Sequence, residues 1–260
     1  MTPVLAFDIE TVPDAAGIKR IHGMAAETPD ADAAEMAMLL RRQTTGSDFL
    51  PLHLHRVVAI SCVLRERDAL RVWSLGNADD GEAELVGRFF EGIGKYTPQL
   101  VSWNGGGFDL PVLHYRALVH GVAAPRYWDL GEDDRDFKWN NYISRYHTRH
   151  LDLMDLLSMY QPRAVAPLDA MAQLCGFPGK LGMDGSQVWP AYREGRIQAI
   201  RAYCETDALN TYLLYLRFQR LRGQLDDAAY ARENALVRDT LRAFPAEHWV
   251  EFLSAWEKTD

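Results

Sequence analysis

Hydrophobic positions near the start of the chain predict three neighbouring strands. The apolar run at residues 4–11 predicts a short buried strand that ends at the turn around Pro13. Residues 57–64 are β-branched and nearly all apolar, which indicates a central strand buried on both faces. After a polar turn, residues 69–75 alternate polar and apolar positions and predict a third strand. We therefore expect an antiparallel meander.

From residue 81 the apolar spacing changes to that of a helix, and a further strand and helix follow. A short strand is predicted at 100–103, three glycines break it at 105–107, and a helix is expected from Asp109 to about His120. Strands first, and then strand alternating with helix, predict an α/β fold with a mixed β-sheet flanked by helices. Functional sites in such sheets collect where strands turn into helices.

Helical patterns dominate the second half of the chain. We predict helices at 151–160, 168–175 and about 196–222, followed by a helical tail at 226–256. The segment 12–55 is interpreted as an insertion after the first strand, with a helix at about 30–42 that Asp30 or Asp32 caps. The expected organisation is one domain over residues 1–222, including this insertion, and a C-terminal helical extension over 223–260.

Composition and charge narrow the class of protein. The chain has 260 residues, 48% of them hydrophobic, and no apolar run long enough to cross a membrane, so we expect a soluble, cytoplasmic protein. Its three widely spaced cysteines argue against a disulfide framework or a zinc site. A net charge of −8 disfavours a broad surface for duplex nucleic acid but permits a local groove around bound cations.

Three short motifs carry candidate chemistry. Asp8 and Glu10, at i and i+2 on the first strand, project from the same side, where a cation such as Mg²⁺ or Mn²⁺ would offset their repulsion; a strand end facing water is the alternative. Asp109 follows the glycine turn and opens a helix, where it could equally be an N-cap. Tyr203 and Asp207 are four residues apart and share one face of the long helix, or they are simply an exposed pair.

Taken in order, D-x-E at 8–10, N-x-x-x-F-D at 104–109 and Y-x-x-x-D at 203–207 resemble the motifs of the DEDD 3′-5′ exonucleases in their tyrosine-bearing DEDDy form. The chain is especially similar to the proofreading exonuclease domain of family B DNA polymerases, over about residues 4–218. The resemblance implies a ribonuclease H-like fold. Because the chain ends at Asp260, it looks like a stand-alone exonuclease, similar to predicted bacterial proteins related to that domain.

The resemblance also implies a mechanism and a site. Two divalent metal ions, Mg²⁺ or Mn²⁺, would act on the 3′ end of single-stranded DNA and release nucleoside 5′-monophosphates. Asp8 would bridge the ions, Glu10 and Asp207 would complete the shell of the first, and Asp109 would act on the second. Tyr203 would orient the attacking water. The implied catalytic residues are Asp8, Glu10, Asp109, Tyr203 and Asp207, and the implied substrate-binding residues are Thr11, Asn104 and Phe108. For Asn104 the alternative is a role in holding the turn, and for Phe108 it is a place in the core under the helix.

Several alternatives remain open at this point. RNA is the alternative substrate, and the sequence does not identify protein partners. A haloacid dehalogenase-like phosphatase would have a second aspartate where Glu10 stands, and a non-catalytic binding module would be expected to lack one of the four acids. The aromatic and basic stretch 126–150 is interpreted as a single-strand groove, or else as a loop anchored to the core. Asp152 is interpreted as part of a solvated helix face, with a position near the site as the alternative.

Overall fold

A five-stranded mixed sheet forms the centre of the protein. The computed structural model describes residues 2–244 and 246–258. The strands are β1 Val4–Pro13, β2 His55–Glu66, β3 Ala69–Ser74, β4 Gln99–Ser102 and β5 His150–Asp152. Their order in the sheet is β3-β2-β1-β4-β5. Strand β1 pairs antiparallel with β2 and parallel with β4, and β4 pairs parallel with β5. This arrangement confirms the predicted α/β class and is consistent with a ribonuclease H-like fold.

Helices cover both faces of this sheet. The α-helices are α1 Ala15–His22, α2 Asp30–Thr45, α3 Glu82–Tyr96, α4 Asp109–His120, α5 Pro125–Trp128, α6 Leu153–Leu157, α7 Leu168–Leu174, α8 Val188–Arg193, α9 Ile197–Leu221, α10 Asp227–Ala243 and α11 Glu247–Glu257. One face of the sheet packs on α3 and α4 through a core that includes Phe7, Ile60 and Phe89. The other face packs on α7, α9, α10 and α11 through a core that includes Ala6 and Leu213.

The sequence missed one strand, β5, at the edge of the sheet beside β4. A single helix was predicted at 151–160, whereas residues 150–152 pair with β4 and α6 begins only at Leu153. A strand of three residues is too short to show the alternation that identifies strands. The difference matters for function, because the end of β5 places Asp152 next to the glycine turn that follows β4.

The segment between β1 and β2 folds as two helices with a small core of their own. Ile18 of α1 packs with Ala33 and Ala37 of α2. The helix α1 was not predicted. Asp30 and Asp32 do not cap α2, because its N-cap is Pro29 and no side chain caps it. The two acids lie in its first turn, where negative charge interacts favourably with the helix dipole.

A buried ion cluster ties this segment to the rest of the fold. Arg116 of α4 is 3% exposed and binds Glu82 through two bonds, at 2.7 and 2.6 Å, and Asp14 at 2.6 Å. Glu82 also accepts a hydrogen bond from the backbone N–H of Val57 at 2.6 Å. The cluster therefore joins the start of α1 to β2, α3 and α4.

The C-terminal segment consists of two helices, α10 and α11, that pack on the domain. Trp249 and Phe252 of α11 are buried in the same core as α9. Arg65 of β2 binds Glu233 of α10 at 2.7 and 2.8 Å. Within residues 2–244 and 246–258, no helix combines the length and apolar character needed to cross a membrane.

Candidate active site

Three carboxylates converge between β1 and α9. Phe7 and Ile9 enter the core beneath α3 and α4, so the alternation of the strand turns Asp8 and Glu10 toward α9. Asp207 comes from α9 itself. One oxygen from each of the three acids lies within 4.8 Å of the others. The tertiary fold thus places both acids of the D-x-E motif beside Asp207 of the Y-x-x-x-D motif.

Asp109 joins this site from the first turn of α4. Its side chain is buried, and Oδ1 accepts a hydrogen bond at 3.2 Å from the backbone N–H of Ile9, the residue between Asp8 and Glu10. The capping alternative is wrong, because Phe108 occupies the N-cap position and the carboxylate of Asp109 reaches across to β1. Asp109 lines the same pocket as the three clustered acids but lies outside their tight group.

The glycine turn before α4 is positioned by Asp152. This carboxylate accepts hydrogen bonds from the backbone N–H groups of Asn104 at 2.9 Å and Gly106 at 2.8 Å. A Cβ on Gly105 would lie 2.3 Å from Oγ of Ser102, so the turn cannot accommodate a side chain there. The interpretation of Asp152 as part of a solvated face is therefore wrong; it is a positioning residue for the turn that delivers Asp109.

The acids line an open pocket of about 520 Å³ that apolar and aromatic side chains also line. These side chains come from the segment after β4, from α6 and from the residues around the start of α7. The lining residues are Asp8, Ile9, Glu10, Trp103, Asn104, Phe108, Asp109, Met154, Pro167, Leu168, Asp169, Lys180, Tyr203 and Asp207.

The pocket strongly disfavours ionisation of its own acids. Burial, followed by the charges of the neighbouring carboxylates, raises the pKa of Asp8 and of Glu10 well above their usual values. Burial also raises the pKa of Asp109 to about 7 and that of Asp207 to about 6. Oδ1 of Asp207 is buried and has no hydrogen-bond partner among the residues that the structure describes. Such an arrangement fits a bound cation.

Tyr203 lies one helical turn before Asp207 and is 5% exposed. Burial raises the pKa of its hydroxyl far above 10, and the charges of Asp207, Glu10 and Asp8 raise it further. The phenol is therefore a hydrogen-bond donor at neutral pH. This protonation state favours the role of orienting a water over that of a general base.

Lys180 is a site residue that the sequence did not identify. Its Nζ lies 5.3 Å from the centre of the Tyr203 ring, and its charge lowers the pKa of Glu10 and of Asp207. The turn that carries it is held by Asn210, whose Nδ2 donates to the carbonyl of Gly179 at 2.9 Å. A single lysine in a loop has no local pattern, so only the tertiary structure reveals this contact.

The predicted substrate-binding residues occupy different environments. Asn104 and Phe108 line the pocket, and the Phe108 ring packs edge-on against His55 with centroids 5.4 Å apart. Thr11 does not line the pocket; its hydroxyl lies 2.8 Å from Nδ1 of the same His55. Thr11 thus contacts the group that supports Phe108.

The stretch 126–150 does not line the acidic pocket. Tyr127, Phe137 and Tyr142 are buried in the core beneath α3 and α4, as the alternative of an anchored loop predicted. The guanidinium of Arg149 lies 4.0 Å from the centre of the Phe137 ring, so part of its basic character is also structural. Trp139 and Tyr146 remain exposed.

A mixed sheet of this order, with acids from its central strand facing a late helix, is consistent with the ribonuclease H-like architecture. The chain belongs to the family described as predicted 3′-5′ exonucleases related to the exonuclease domain of PolB, which matches residues 47–256. The resemblance inferred from the three motifs is thereby confirmed, and the chain is a nuclease of the hydrolase class.

Individual relatives are DNA polymerases, of which the chain matches only a small part. It is 28% identical over 147 residues to the DNA polymerase epsilon catalytic subunit of Saccharomyces cerevisiae. The matched region covers 54% of this chain and 6% of that polymerase chain. The corresponding polymerase chain of Kluyveromyces lactis is 30% identical over 140 residues, 53% of this chain and 6% of its own length. A DNA polymerase of Archaeoglobus fulgidus is 24% identical over 159 residues, 57% of this chain and 20% of the polymerase.

Proposed function

We propose that this protein is a metal-dependent 3′-5′ exonuclease that removes nucleoside 5′-monophosphates from the 3′ end of single-stranded DNA. The observation that supports it most directly is the group formed by Asp8, Glu10 and Asp207, whose oxygens lie within 4.8 Å of one another. The raised pKa of these carboxyl groups and the unpaired Oδ1 of Asp207 support a bound cation as well, because a cation would offset the repulsion among the three acids.

The residues suit two divalent ions, Mg²⁺ or Mn²⁺. Asp8, Glu10 and Asp207 would hold one ion, and Asp8 with Asp109 would hold the other. Bound there, the ions would make a coordinated water more acidic and stabilise the charge on the leaving 3′ oxygen.

The chain's own side chains would hold the reactants. The Tyr203 hydroxyl would donate a hydrogen bond that orients the attacking water, since its raised pKa keeps the proton on the phenol. Lys180, which lines the same pocket, would offset negative charge that develops on the phosphate. The ring of Phe108 and the amide of Asn104 would contact the terminal nucleotide, with Thr11 acting through His55.

Single-stranded DNA is the substrate that these features favour. The net charge of −8 gives little general attraction for duplex, whereas the aromatic side chains of Trp103 and Phe108 in the pocket offer surfaces on which unpaired bases can stack. The relatives are named as DNA polymerases, which favours DNA over RNA. We assign this function to residues 1–222, with 12–55 as an insertion and 223–260 as a helical extension.

The test is the shortening of 5′-labelled oligonucleotides with Mg²⁺, with Mn²⁺ or with a chelator. We expect ladders that shorten from the 3′ end, faster on single-stranded DNA than on matched RNA or duplex, with nucleoside 5′-monophosphates as products. Asp8→Ala should abolish the ladder, and Asp136→Ala, at an exposed acid outside the pocket, should not. Unchanged activity of Asp8→Ala would refute the assignment, and faster shortening of RNA would transfer it to RNA.

A further inference from the structure

The segment 158–166 leaves the wall of the acidic pocket and returns to it. Met154 lines the pocket before this segment, and Pro167 and Leu168 line it afterwards. The return is held by Nε1 of Trp103, which donates to the carbonyl of Ala166 at 3.0 Å. Both ends of the segment therefore adjoin the pocket.

Two consecutive residues of this segment adopt an unfavourable backbone. Met159 has φ 52° and Tyr160 has φ 59°, in the left-handed region that side chains with a Cβ disfavour. The conformation is held by the N–H of Tyr160, which donates to the carbonyl of Asp155 at 2.8 Å. It leaves Met159 74% exposed and Tyr160 partly exposed. Strain of this kind concentrates at functional positions.

Tyr160 is the centre of an exposed cluster of rings and charge, formed with Arg145 and Tyr146 and called here the rim cluster. Tyr146 is 75% exposed, and its ring meets that of Tyr160 edge-on with centroids 5.6 Å apart. The Arg145 guanidinium lies 4.7 Å from the Tyr160 ring centre and is anchored to Asp155 at 2.7 Å. So exposed a cluster adds little to the core.

We propose that the rim cluster binds the substrate strand upstream of the scissile bond, with a nucleobase stacked on the tyrosines and Arg145 facing the backbone. The proposal rests on the function proposed above. Stacking rings beside a cation are the features that bind single strands without regard to sequence, because every base has an aromatic face. Arg145 is already paired with Asp155, so stacking supplies most of the affinity.

The chain contains a chemically matched control. Arg71 lies 5.7 Å from the centres of the Trp73 and Tyr96 rings, so this second cluster also combines an arginine with two aromatic residues. Arg71 and Trp73 are on β3, at the edge of the sheet opposite to β5, Tyr96 is the last residue of α3, and none of the three lines the acidic pocket. Its disruption reports any general effect of removing exposed rings and charge.

The experiment measures kcat and KM for the unaltered protein and three double variants on 5′-fluorescein oligothymidylates of two to twelve nucleotides. Tyr146→Ala with Tyr160→Ala should raise KM about tenfold for the longer strands, which reach the rim cluster, because base stacking on the tyrosines is lost. The kcat on all lengths and the KM on the shortest strands should stay within about twofold. Tyr146→Phe with Tyr160→Phe, and Arg71→Ala with Tyr96→Ala, should behave like the unaltered protein.

An unchanged KM on long strands, or an equal rise at every length, overturns the proposal. Failure of the proposed function gives a different result, because the unaltered protein would then shorten no substrate. In that event, the anisotropy of the fluorescein-labelled twelve-nucleotide strand still decides the matter. Binding about tenfold weaker to the tyrosine-to-alanine variant supports the rim cluster, and equal binding refutes it.

Discussion

Replacement of Asp109 by asparagine removes a buried charge while preserving the local hydrogen bond. The amide oxygen of asparagine can still accept from the N–H of Ile9, which is 3.2 Å from Oδ1 in the structure. We expect Asp109→Asn to be more stable than the unaltered protein at pH 8 without divalent cations. Near pH 5 the two proteins should be much closer in stability.

The magnitude and sign follow from the pKa of Asp109, raised by burial from its usual 3.8 to about 7. A folded pKa above the unfolded one means that the folded state binds the proton more tightly, so stability is lost as pH rises through the folded value. At 1.36 kcal/mol per pKa unit the full cost above pH 7 is about 4 kcal/mol. Because the other acids share the repulsion and can readjust, we expect a gain of about 1–3 kcal/mol for the asparagine variant.

Buried histidines act in the opposite direction and must be separated from this effect. Burial lowers the pKa of His114 and of His150 to about 4, so their contribution to stability is lost as pH falls from about 6.5. Both proteins contain these histidines. The difference in free energy of unfolding between variant and unaltered protein, followed from pH 5 to pH 8, therefore isolates Asp109.

The assay is urea unfolding followed by the fluorescence of the seven tryptophans, in chelator and in excess Mg²⁺. In chelator the variant should gain stability over the unaltered protein as pH rises. Excess Mg²⁺ should stabilise the unaltered protein more than the variant, because an ion bound beside Asp109 offsets the charge that asparagine lacks. A variant that is equally or less stable at pH 8 in chelator would refute the reasoning.

Three further changes test other parts of the structure. Tyr203→Phe should lower kcat by about tenfold to a hundredfold with little change in KM, because it removes the donor that orients the water; steady-state kinetics on a single-stranded substrate check this, and an unchanged kcat contradicts it. Lys180→Ala should move the acidic limb of the pH–rate profile to higher pH, since the lysine lowers the pKa of Glu10 and Asp207; an unmoved limb would exclude this electrostatic role. Arg116→Ala should cost about 3–5 kcal/mol in urea unfolding, because Glu82 and Asp14 lose their buried partner; a cost below about 1 kcal/mol would show that the pair is not needed.

Residues whose relation is local were predictable from the sequence. The strand places Asp8 and Glu10 on one side through a two-residue repeat, and the helix places Tyr203 beside Asp207 through a four-residue spacing. The meeting of these two pairs with Asp109 is a tertiary fact that no periodicity contains. It was anticipated only through the resemblance to a known family. The supports at Asp152 and Lys180 belong to a three-residue strand end and a loop, where pattern is weakest.

Few positively charged side chains line the pocket around the buried acids. Asp109 accepts a hydrogen bond from the N–H of Ile9, Asp152 accepts hydrogen bonds from N–H groups of the glycine turn, and Lys180 lines the pocket. Burial and mutual repulsion still raise the pKa of Asp8 and of Glu10 well above the usual range. A protein that needed only stability would replace such acids with apolar residues. We therefore expect their charge to be balanced by cations that arrive with, or before, the substrate.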